Sequence, residues 1–138
     1  MKIIIMVIPD EKIYENKYEK KLIEKAIKTL SSKWTLYIIK DMFLGKKHFT
    51  EFQQNRPDLD NKSLTRCLTK MEENKLINKN IINNKTEYEL SERGLKLNKL
   101  FFELLVFTLD TDFENNDYSL KEIESIKENY AKILNIKS

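Results

Sequence analysis

Polar side chains that donate hydrogen bonds recur every three or four residues between positions 62 and 70. An α-helix completes a turn in about 3.6 residues, so this spacing places them on one side of a helix. Hydroxyl, ammonium and guanidinium groups suit phosphate oxygens and the base edges of a DNA major groove; an ordinary solvated face is the alternative. The set comprises Lys62, Thr65, Arg66, Thr69 and Lys70, with Ser63 beside them.

The other side of the same stretch is apolar. Leu64, Leu68 and Met71 share it, with Cys67 at its edge. A helix with one apolar side packs that side inward, so the polar side is expected to project into solvent.

The polar residues are expected to have different roles. A guanidinium can bond guanine through two parallel hydrogen bonds, so Arg66 is the candidate for reading a base. Lys62 and Lys70 are candidates for phosphate contacts. Further DNA contacts are predicted for Thr50, which precedes this helix in the sequence, and for a hairpin that follows it. The hairpin residues are Lys79, Asn83, Asn84 and Lys85.

Helices are expected to dominate the fold that positions these residues. The chain has 138 residues, of which 41% are hydrophobic and 34% charged, and it contains only 2 Gly and 2 Pro. An all-β fold needs more turn residues than that, so the predicted class is mainly α with a small β-hairpin. Six helices are predicted, over residues 18–30, 33–44, 50–55, 61–74, 92–109 and 120–134, with the hairpin at 76–90.

Local signals predict where these helices begin. The Ser-Ser pair at 31–32 is expected to cap the second helix, and Thr50 is expected to open the third as the first residue of a capping box. Asp60 is the predicted N-cap of the fourth helix, and Ser119 opens the sixth with a second capping box. The Asn pair at 83–84 tolerates positive φ and predicts a tight hairpin turn.

Enzymatic chemistry, metal binding and a cofactor are not expected. His48 is the one histidine and Cys67 the one cysteine, and the sequence has no Gly-rich phosphate loop. A zinc site would need unusual carboxylate ligands. A single cysteine excludes an internal disulfide and fits the cytoplasm. Cys67 itself is either a small packing residue or a redox-sensitive thiol.

Charge is distributed unevenly along the chain. Residues 40–99 contain 13 basic and 9 acidic residues, a balance of +4, whereas residues 110–138 contain 4 basic and 7 acidic residues, a balance of −3. The middle of the chain is therefore the part that attracts phosphate.

Seven short segments between residues 33 and 94 form a specific combination. They are Lys33-Trp34-Thr35-Leu36, Phe49-Thr50-Glu51-Phe52, Leu64-Thr65-Arg66-Cys67-Leu68, Met71-Glu72, Leu76-Ile77, Glu87-Tyr88-Glu89-Leu90-Ser91 and Gly94. In this combination the chain resembles the HxlR-type winged helix-turn-helix regulators of bacteria and archaea, over about residues 19–109.

The resemblance implies a dimeric transcription regulator of the winged helix-turn-helix fold, with extra N- and C-terminal dimerisation helices. Residues 61–74 would be the recognition helix in the major groove, and residues 76–90 the wing on the flanking groove. Double-stranded DNA, as a palindromic or repeated operator, and a second copy of the chain are then the expected partners. An effector, either a small molecule or an oxidant, is left open.

The chain departs from the family pattern at three places. Some members sense oxidants or aldehydes with a cysteine just before the first helix, where this chain has about Lys21. Cys67 stands where the family often has an arginine, which removes one phosphate contact. The wing is shorter than usual and has no proline at its tip, which weakens the expectation of groove contacts.

Apolar residues in the last two predicted helices favour a homodimer. From residue 100 to residue 109 only Glu103 and Thr108 interrupt the apolar run, which is more than one small domain easily covers. An intramolecular cap of three helices is the alternative. The predicted dimer contacts are Phe101, Phe102, Leu105, Ile123, Ile126 and Tyr130.

Three segments are predicted: an N-terminal arm at 1–17, a winged helix-turn-helix domain at 18–109, and a linker with the C-terminal helix at 110–138. The apolar start of the arm is too short to span a membrane, and it is either a strand on a partner chain or an unordered segment. A rival function uses the same fold as a protein-interaction module, which assembles a complex through the last two helices without specific DNA binding.

Overall fold

The computed structural model describes residues 17–111 and 118–137. The chain divides into two compact units, residues 1–33 and residues 34–138. Two predicted features lie outside the described residues: the arm up to residue 16 and the linker at 112–117. The division into an arm, a winged domain and a C-terminal segment remains a prediction.

In the described part of the first unit the chain forms the helix α1, over Lys17–Leu30. Its apolar residues recur at helical spacing, which is why the sequence predicts it. Glu19 lies in its first turn and Lys28 in its last turn, the arrangement that the helix dipole favours. The predicted helix at 18–30 is confirmed.

The second unit contains the helix-turn-helix and the hairpin. Its described elements are α2 (Thr35–Phe43), α3 (Phe49–Gln53), α4 (Asn61–Glu73), β1 (Ile77–Ile82), β2 (Lys85–Leu90), α5 (Glu92–Leu95), α6 (Asn98–Thr111) and α7 (Leu120–Ile133). The two strands pair antiparallel, from Ile77 opposite Leu90 to Ile82 opposite Lys85. The mainly helical class with a small hairpin is confirmed. α3, the turn after it and α4, followed by β1 and β2, form a winged helix-turn-helix.

The predicted cap of α2 is wrong. The first helical hydrogen bond runs from the Ile38 N–H to the Trp34 carbonyl oxygen at 3.0 Å. Trp34 therefore occupies the N-cap position, and the helix begins at Thr35. The serine pair at 31–32 lies too early in the chain to cap it.

The predicted capping box of α3 is also wrong, by two residues. α3 begins at Phe49, with His48 at the N-cap position. The Glu51 carboxylate accepts hydrogen bonds from the backbone N–H of His48 at 2.9 Å and of Lys47 at 3.3 Å. Glu51 therefore has the role predicted for Gln53, because its side chain reaches back three residues to the N-cap.

Three other local predictions are confirmed. Asp60 caps α4, since its carboxylate accepts a hydrogen bond from the Ser63 N–H at 2.7 Å. Ser119 caps α7 in the same way. Asn83 and Asn84 have φ values of 52° and 64°, the left-handed conformation that a two-residue hairpin turn requires.

The single helix predicted for residues 92–109 is wrong, because the chain forms α5 and α6 with a break at residues 96–97. Here the N–H groups of Lys96 and Leu97 bond the carbonyls three residues back, of Arg93 and Gly94, at 3.2 and 3.1 Å. Bonds of this spacing tighten the chain and end an α-helix. α6 continues to Thr111, so the chain is helical where the linker was predicted to start.

Gly94 lets α5 lie against the chain just before β1. A Cβ atom at Gly94 would lie 2.2 Å from the Leu76 carbonyl oxygen. Ser91 fixes the same approach, because its N–H donates to that oxygen at 3.0 Å and its hydroxyl donates to the Lys75 carbonyl at 2.6 Å. The Gly94 position therefore has room only for hydrogen.

The core packs α2 against β2 and α4 against β1. Phe52 is fully buried, and its ring centre lies 6.2 Å from that of Tyr88. Burying one such side chain contributes about 1.5–3 kcal/mol. The predicted inward side of α4 is confirmed, since all of its members are buried: Leu64, Cys67, Leu68 and Met71.

α6 and α7 pack on each other through polar as well as apolar contacts. The Asn98 side-chain amide donates to the Leu134 carbonyl oxygen at 2.8 Å, and the Lys127 ammonium lies 3.2 Å from the Asp110 carboxylate. None of the helices in the described ranges is long and apolar enough to cross a bilayer.

Replacing Gly94 with alanine is expected to destabilise the protein. The added methyl group would collide with the Leu76 carbonyl oxygen, and such overpacking costs on the order of 1–3 kcal/mol. Urea unfolding followed by circular dichroism measures the loss. Glu92→Ala, on the exposed side of α5, is the control and should change stability by less than about 0.5 kcal/mol. Equal midpoints for Gly94→Ala and the unchanged chain would contradict the prediction.

Candidate nucleic-acid interface

The polar side of α4 projects into solvent. The five residues predicted to form it are exposed, and Ser63 beside them is half-buried. The members of this exposed side, called the α4 stripe below, are Lys62, Thr65, Arg66, Thr69 and Lys70. The stripe combines three cations with two hydroxyl groups on one helix side.

The cations of the α4 stripe have no ion-pair partner in the part of the chain that the structure describes. Among the described residues, none of Lys62, Arg66 and Lys70 forms an ion pair with a carboxylate. Lys47, by contrast, lies 3.5 Å from Glu87. Unpaired cations on a fixed helix side create a local positive potential, which attracts phosphate.

The acidic residue at the start of α4 is held by the backbone. The Ser63 N–H and then the Ser63 hydroxyl bond the Asp60 carboxylate and, with smaller effects of Lys62 and Arg66, hold the pKa of Asp60 below its ordinary value of 3.8. The pKa of Glu51 lies below 4.5, chiefly because the backbone N–H groups of Lys47 and His48 bond it. Both carboxylates therefore act as helix caps.

A polar bridge fixes α3 relative to α4. The Gln53 side-chain amide donates to the Asn61 side chain at 2.7 Å and to the Leu59 carbonyl oxygen at 3.2 Å. Leu59, in the turn between the helices, is 2% exposed. Thr50 is exposed on α3. The turn is thus held by one buried side chain and one hydrogen-bonded side chain.

A buried ion pair joins α2 to the turn after α3. The side chain of Asp41 is 0% exposed, and both of its oxygens accept hydrogen bonds from the Arg56 guanidinium, one of them at 3.1 Å. Lys40 lies 3.1 Å from the same carboxylate. Arg56 also donates to the Phe52 carbonyl oxygen at 2.8 Å, and its charge lies 5.6 Å from the centre of the Tyr37 ring.

The sequence patterns did not predict this ion pair. The available signal is Asp41 itself, a carboxylate in a helix that is otherwise apolar nearly all round. A buried carboxylate needs a cationic partner. The sequence does not say which of its many cations supplies it, because Arg56 is 15 residues away.

Burial by itself raises the pKa of Asp41. The hydrogen bonds and charges of Arg56 and Lys40 outweigh burial, so the pKa of Asp41 is lower than its ordinary value of 3.8. At pH values between the folded pKa and the ordinary pKa, the folded state therefore binds fewer protons than the unfolded state. The stability that this group contributes is complete above its ordinary pKa and is lost as the pH falls through the lower, folded value.

The hairpin is attached to the start of α3. The Tyr88 N–H donates to the Lys47 carbonyl oxygen at 2.8 Å. The side chains of Lys47 and His48 lie 3.5 and 3.8 Å from the Glu87 carboxylate. The residues predicted to contact DNA from the wing are all exposed: Lys79, Asn83, Asn84 and Lys85.

The residues predicted for the dimer contact are partly covered by other residues of the same chain. All six are half-buried: Phe101, Phe102, Leu105, Ile123, Ile126 and Tyr130. The Phe101 ring centre lies 5.7 Å from that of Phe43. The prediction omitted Leu104 and Phe107, which are 45% and 66% exposed on α6. Of the two, Phe107 exposes the larger fraction of its side chain. The surrounding sequence does not distinguish it from the other apolar residues of α6.

Cys67 lies in the core. It is 8% exposed, and its sulfur lies 3.6 Å from that of Met71 and 4.0 Å from the Thr35 hydroxyl. No group of three or more His, Cys, Asp or Glu side chains that could hold a metal ion occurs in the described ranges.

The sequence was compared with families of known proteins. Residues 29–112 match the family described as HxlR-like helix-turn-helix. The chain is 33% identical over 78 residues to the uncharacterised HTH-type transcriptional regulator YtcD of Bacillus subtilis (strain 168), covering 54% of this chain and 62% of YtcD. The chain thus spans less than two thirds of that relative. It is 29% identical over 84 residues to the HTH-type transcriptional regulator YodB of the same organism, covering 59% of this chain and 75% of YodB.

Solved structures agree with the fold. The crystal structure of YtcD superposes with a TM-score of 0.60 at 30% identity, covering 64% of this chain and 94% of that one. The redox regulator HypR in its oxidised form gives a TM-score of 0.57 at 25% identity, covering 62% of this chain and 92% of that one. The winged helix-turn-helix arrangement is shared with these regulators.

Removing the partner of Asp41 should destabilise the protein in a pH-dependent way. Arg56→Met leaves a buried carboxylate with Lys40 alone, and breaking a buried pair costs about 3–5 kcal/mol near neutral pH. Burial then raises the pKa of Asp41, so at acid pH the carboxyl is protonated and the deficit shrinks. Urea unfolding at about pH 7 and about pH 4.5 measures both values.

Arg66→Met is the control for the loss of an arginine, because Arg66 is exposed. It should change stability by less than about 0.5 kcal/mol. A deficit for Arg56→Met that is the same at the two pH values would contradict the ion-pair explanation.

Proposed function

Because the chain belongs to the HxlR-like helix-turn-helix family of transcriptional regulators, we propose that it binds specific sequences of duplex DNA as a homodimer. Members of this family are DNA-binding regulators rather than enzymes. The observation that carries the proposal is the α4 stripe, which is exposed and whose cations are unpaired within the described residues.

In the proposed complex α4 lies in the major groove. Arg66 is at the centre of the stripe, where a guanidinium can donate two hydrogen bonds to one guanine. Lys62 and Lys70 lie one turn before and one turn after it, at the spacing that suits the phosphates flanking the groove. Thr65 and Thr69 offer shorter hydroxyl contacts, with Ser63 at the edge of the same surface.

Contacts from α3 and the wing are proposed on both sides of α4. Thr50 is exposed at the start of α3, where its hydroxyl can donate to a phosphate. The wing would place its tip on the flanking groove, through Lys79, Asn83, Asn84 and Lys85. The attachment of β2 to Lys47 supports this, because it holds the wing and α3 in one frame.

The homodimer is proposed from apolar surface on α6 and α7. A two-fold axis would present two copies of α4 to successive turns of the duplex, which matches a palindromic or repeated operator. The proposed contacts are Phe101, Phe102, Leu105, Ile123, Ile126 and Tyr130, to which the exposure of Phe107 adds a further residue.

The effector proposed for this regulator is a small molecule rather than an oxidant. HypR is a redox regulator by name, but an oxidant that acts on a thiol would here have to reach Cys67, the one cysteine of the chain. That thiol is 8% exposed, and redox-sensing cysteines are solvent-accessible.

Two substitutions on α4 should have distinguishable effects on DNA binding. Arg66→Ala is expected to lose about 1–3 kcal/mol of discrimination between selected and scrambled duplexes. Lys70→Ala is expected to weaken binding to every sequence and to lower the slope of log K against log salt by about 1. Selecting a site from a random duplex library and then titrating it by fluorescence anisotropy at several salt concentrations measures both effects.

The matched control is Lys132→Ala, which removes one exposed charge from α7, away from α4. It should leave discrimination and salt slope unchanged. Equal losses on selected and scrambled DNA for Arg66→Ala and Lys70→Ala would contradict the assigned roles. Little DNA affinity at any salt concentration would instead favour the protein-interaction module.

The proposed assembly predicts a mass of twice the 16.6 kDa chain by light scattering at micromolar concentration. Phe107→Lys is expected to shift the population toward the monomer, because it places a charge in the apolar contact. Asn78→Lys, exposed on β1 and outside α6 and α7, is the control and should remain dimeric. A monomeric mass for the unchanged chain would refute the homodimer.

A further inference from the structure

The tip of the hairpin exposes two isoleucine side chains. Ile81 is 74% exposed and Ile82 is 48% exposed. They are the last two residues of β1, directly before the turn formed by Asn83 and Asn84. β-branched residues are favoured in strands, which accounts for their residue type but leaves apolar surface in water. The DNA contacts proposed above for the wing do not include them.

The two isoleucines lie on opposite faces of the hairpin, because successive side chains of a strand alternate between its faces. Ile81 is on the same face as the buried Ile77 and is paired with Thr86 on β2. Ile82 is on the other face, paired with Lys85. The end of the two-stranded ribbon therefore has one apolar side chain on each of its sides.

The same tip carries positive charge and no negative charge. Residues 79–86 contain two lysines and no carboxylate. Lys79 and Lys85 are exposed, and neither forms an ion pair within the described residues. Glu87 and Glu89 lie closer to the base of the hairpin, where a neighbouring side chain bonds each of them. The charge of the tip is thus complementary to a polyanion.

The minor groove of duplex DNA matches this combination of apolar and cationic groups. It is about 6 Å wide, and paired strands lie about 4.8 Å apart, so the end of a two-residue hairpin has a comparable width. The groove is lined by the C–H groups of deoxyribose and bordered by phosphates. Proteins that bind there often insert isoleucine or another apolar side chain.

We propose that the wing tip enters the minor groove and prefers A·T pairs there, with Ile81 and Ile82 packed on the deoxyribose of its two walls. The amino group of guanine projects into this groove, whereas A·T pairs have none, so a G·C pair holds the tip away from the walls. The inference rests on duplex DNA being the partner of the α4 stripe, and it adds base discrimination outside the major groove.

A second copy of the chain, packed through the same two isoleucines, is the competing occupant of this surface. Substitution of the isoleucines would then change the mass of the protein in solution. Occupation by DNA predicts instead that substitution changes the preference between flanking sequences and leaves the mass unchanged.

The test changes the minor groove while preserving the hydrogen-bonding groups of the major groove. An inosine·C pair lacks the 2-amino group of G·C, and a 2,6-diaminopurine·T pair adds that group to A·T. The full chain is titrated by fluorescence anisotropy on its selected site, with the flanking pairs made of each type. Flanks of A·T and inosine·C should bind alike and about tenfold more tightly than flanks of G·C and diaminopurine·T.

A double variant tests the isoleucines directly. Ile81→Thr with Ile82→Thr keeps β-branched side chains but removes apolar surface, so the affinity for A·T flanks should fall about tenfold while that for G·C flanks stays the same. The matched control, Ile81→Leu with Ile82→Leu, keeps the number of carbon atoms and should retain the preference.

Salt dependence separates the apolar contact from the charges beside it. The threonine variant should keep the slope of log K against log salt, because it removes no charge, whereas Lys85→Gln should lower that slope by about 1. A threonine variant that changes the mass of the protein and keeps the A·T preference would assign the isoleucines to a protein contact and overturn the inference.

The failure of this inference is distinguishable from that of the proposed function. If the unchanged chain binds no duplex in a salt-dependent way, the proposed function fails and the inference fails with it. If the chain binds its selected site but the 2-amino group has no effect, or if diaminopurine·T flanks bind like A·T flanks, the inference alone is overturned. The base-analogue test needs no variant, so it decides the inference even if a substituted chain does not fold.

Discussion

The buried pair of Asp41 and Arg56 is the polar constraint on which the arrangement of the helix-turn-helix depends. A carboxylate with no exposed surface is costly unless a partner with matching geometry meets it, and Arg56 meets both of its oxygens. The pair spans from the last turn of α2 to the turn that follows α3. That turn therefore has a polar anchor on α2 as well as the apolar contact of Leu59.

The position of α4 follows from this anchor. The Gln53 side chain connects the end of α3 to Asn61 at the start of α4, and Asp60 caps the helix that begins there. The inward side of α4 then packs on β1, and β2 is in turn bonded to Lys47. The hairpin and the helices α2, α3 and α4 thus form one frame. The polar side of α4 faces outward because its apolar side is buried against β1.

Local signals in the sequence were enough for part of this frame. The alternation of Leu64, Leu68 and Met71 with polar residues predicted which side of α4 is buried, since it depends only on the helical period. The Asn pair predicted the turn because asparagine tolerates the positive φ that a two-residue turn requires. The Asp41–Arg56 pair joins residues 15 positions apart in the sequence, so no local pattern contains it. The start of α3 was predicted at the wrong residue because two capping boxes are compatible with the sequence. Gln53 follows Thr50 by three residues, and Glu51 follows His48 by three residues.

The carboxylates of the helix-turn-helix are largely committed to the frame itself. Asp41 is bonded to Arg56, Glu51 to the backbone ahead of α3, and Asp60 to the backbone of α4. Each has a pKa below its ordinary value, because these hydrogen bonds stabilise the ionised carboxylate. A balance of +4 over residues 40–99 is modest, but the segregation concentrates positive charge on α4, where no ion pair within the described residues offsets it. For attracting a phosphate backbone, that local separation matters more than the net charge of the chain.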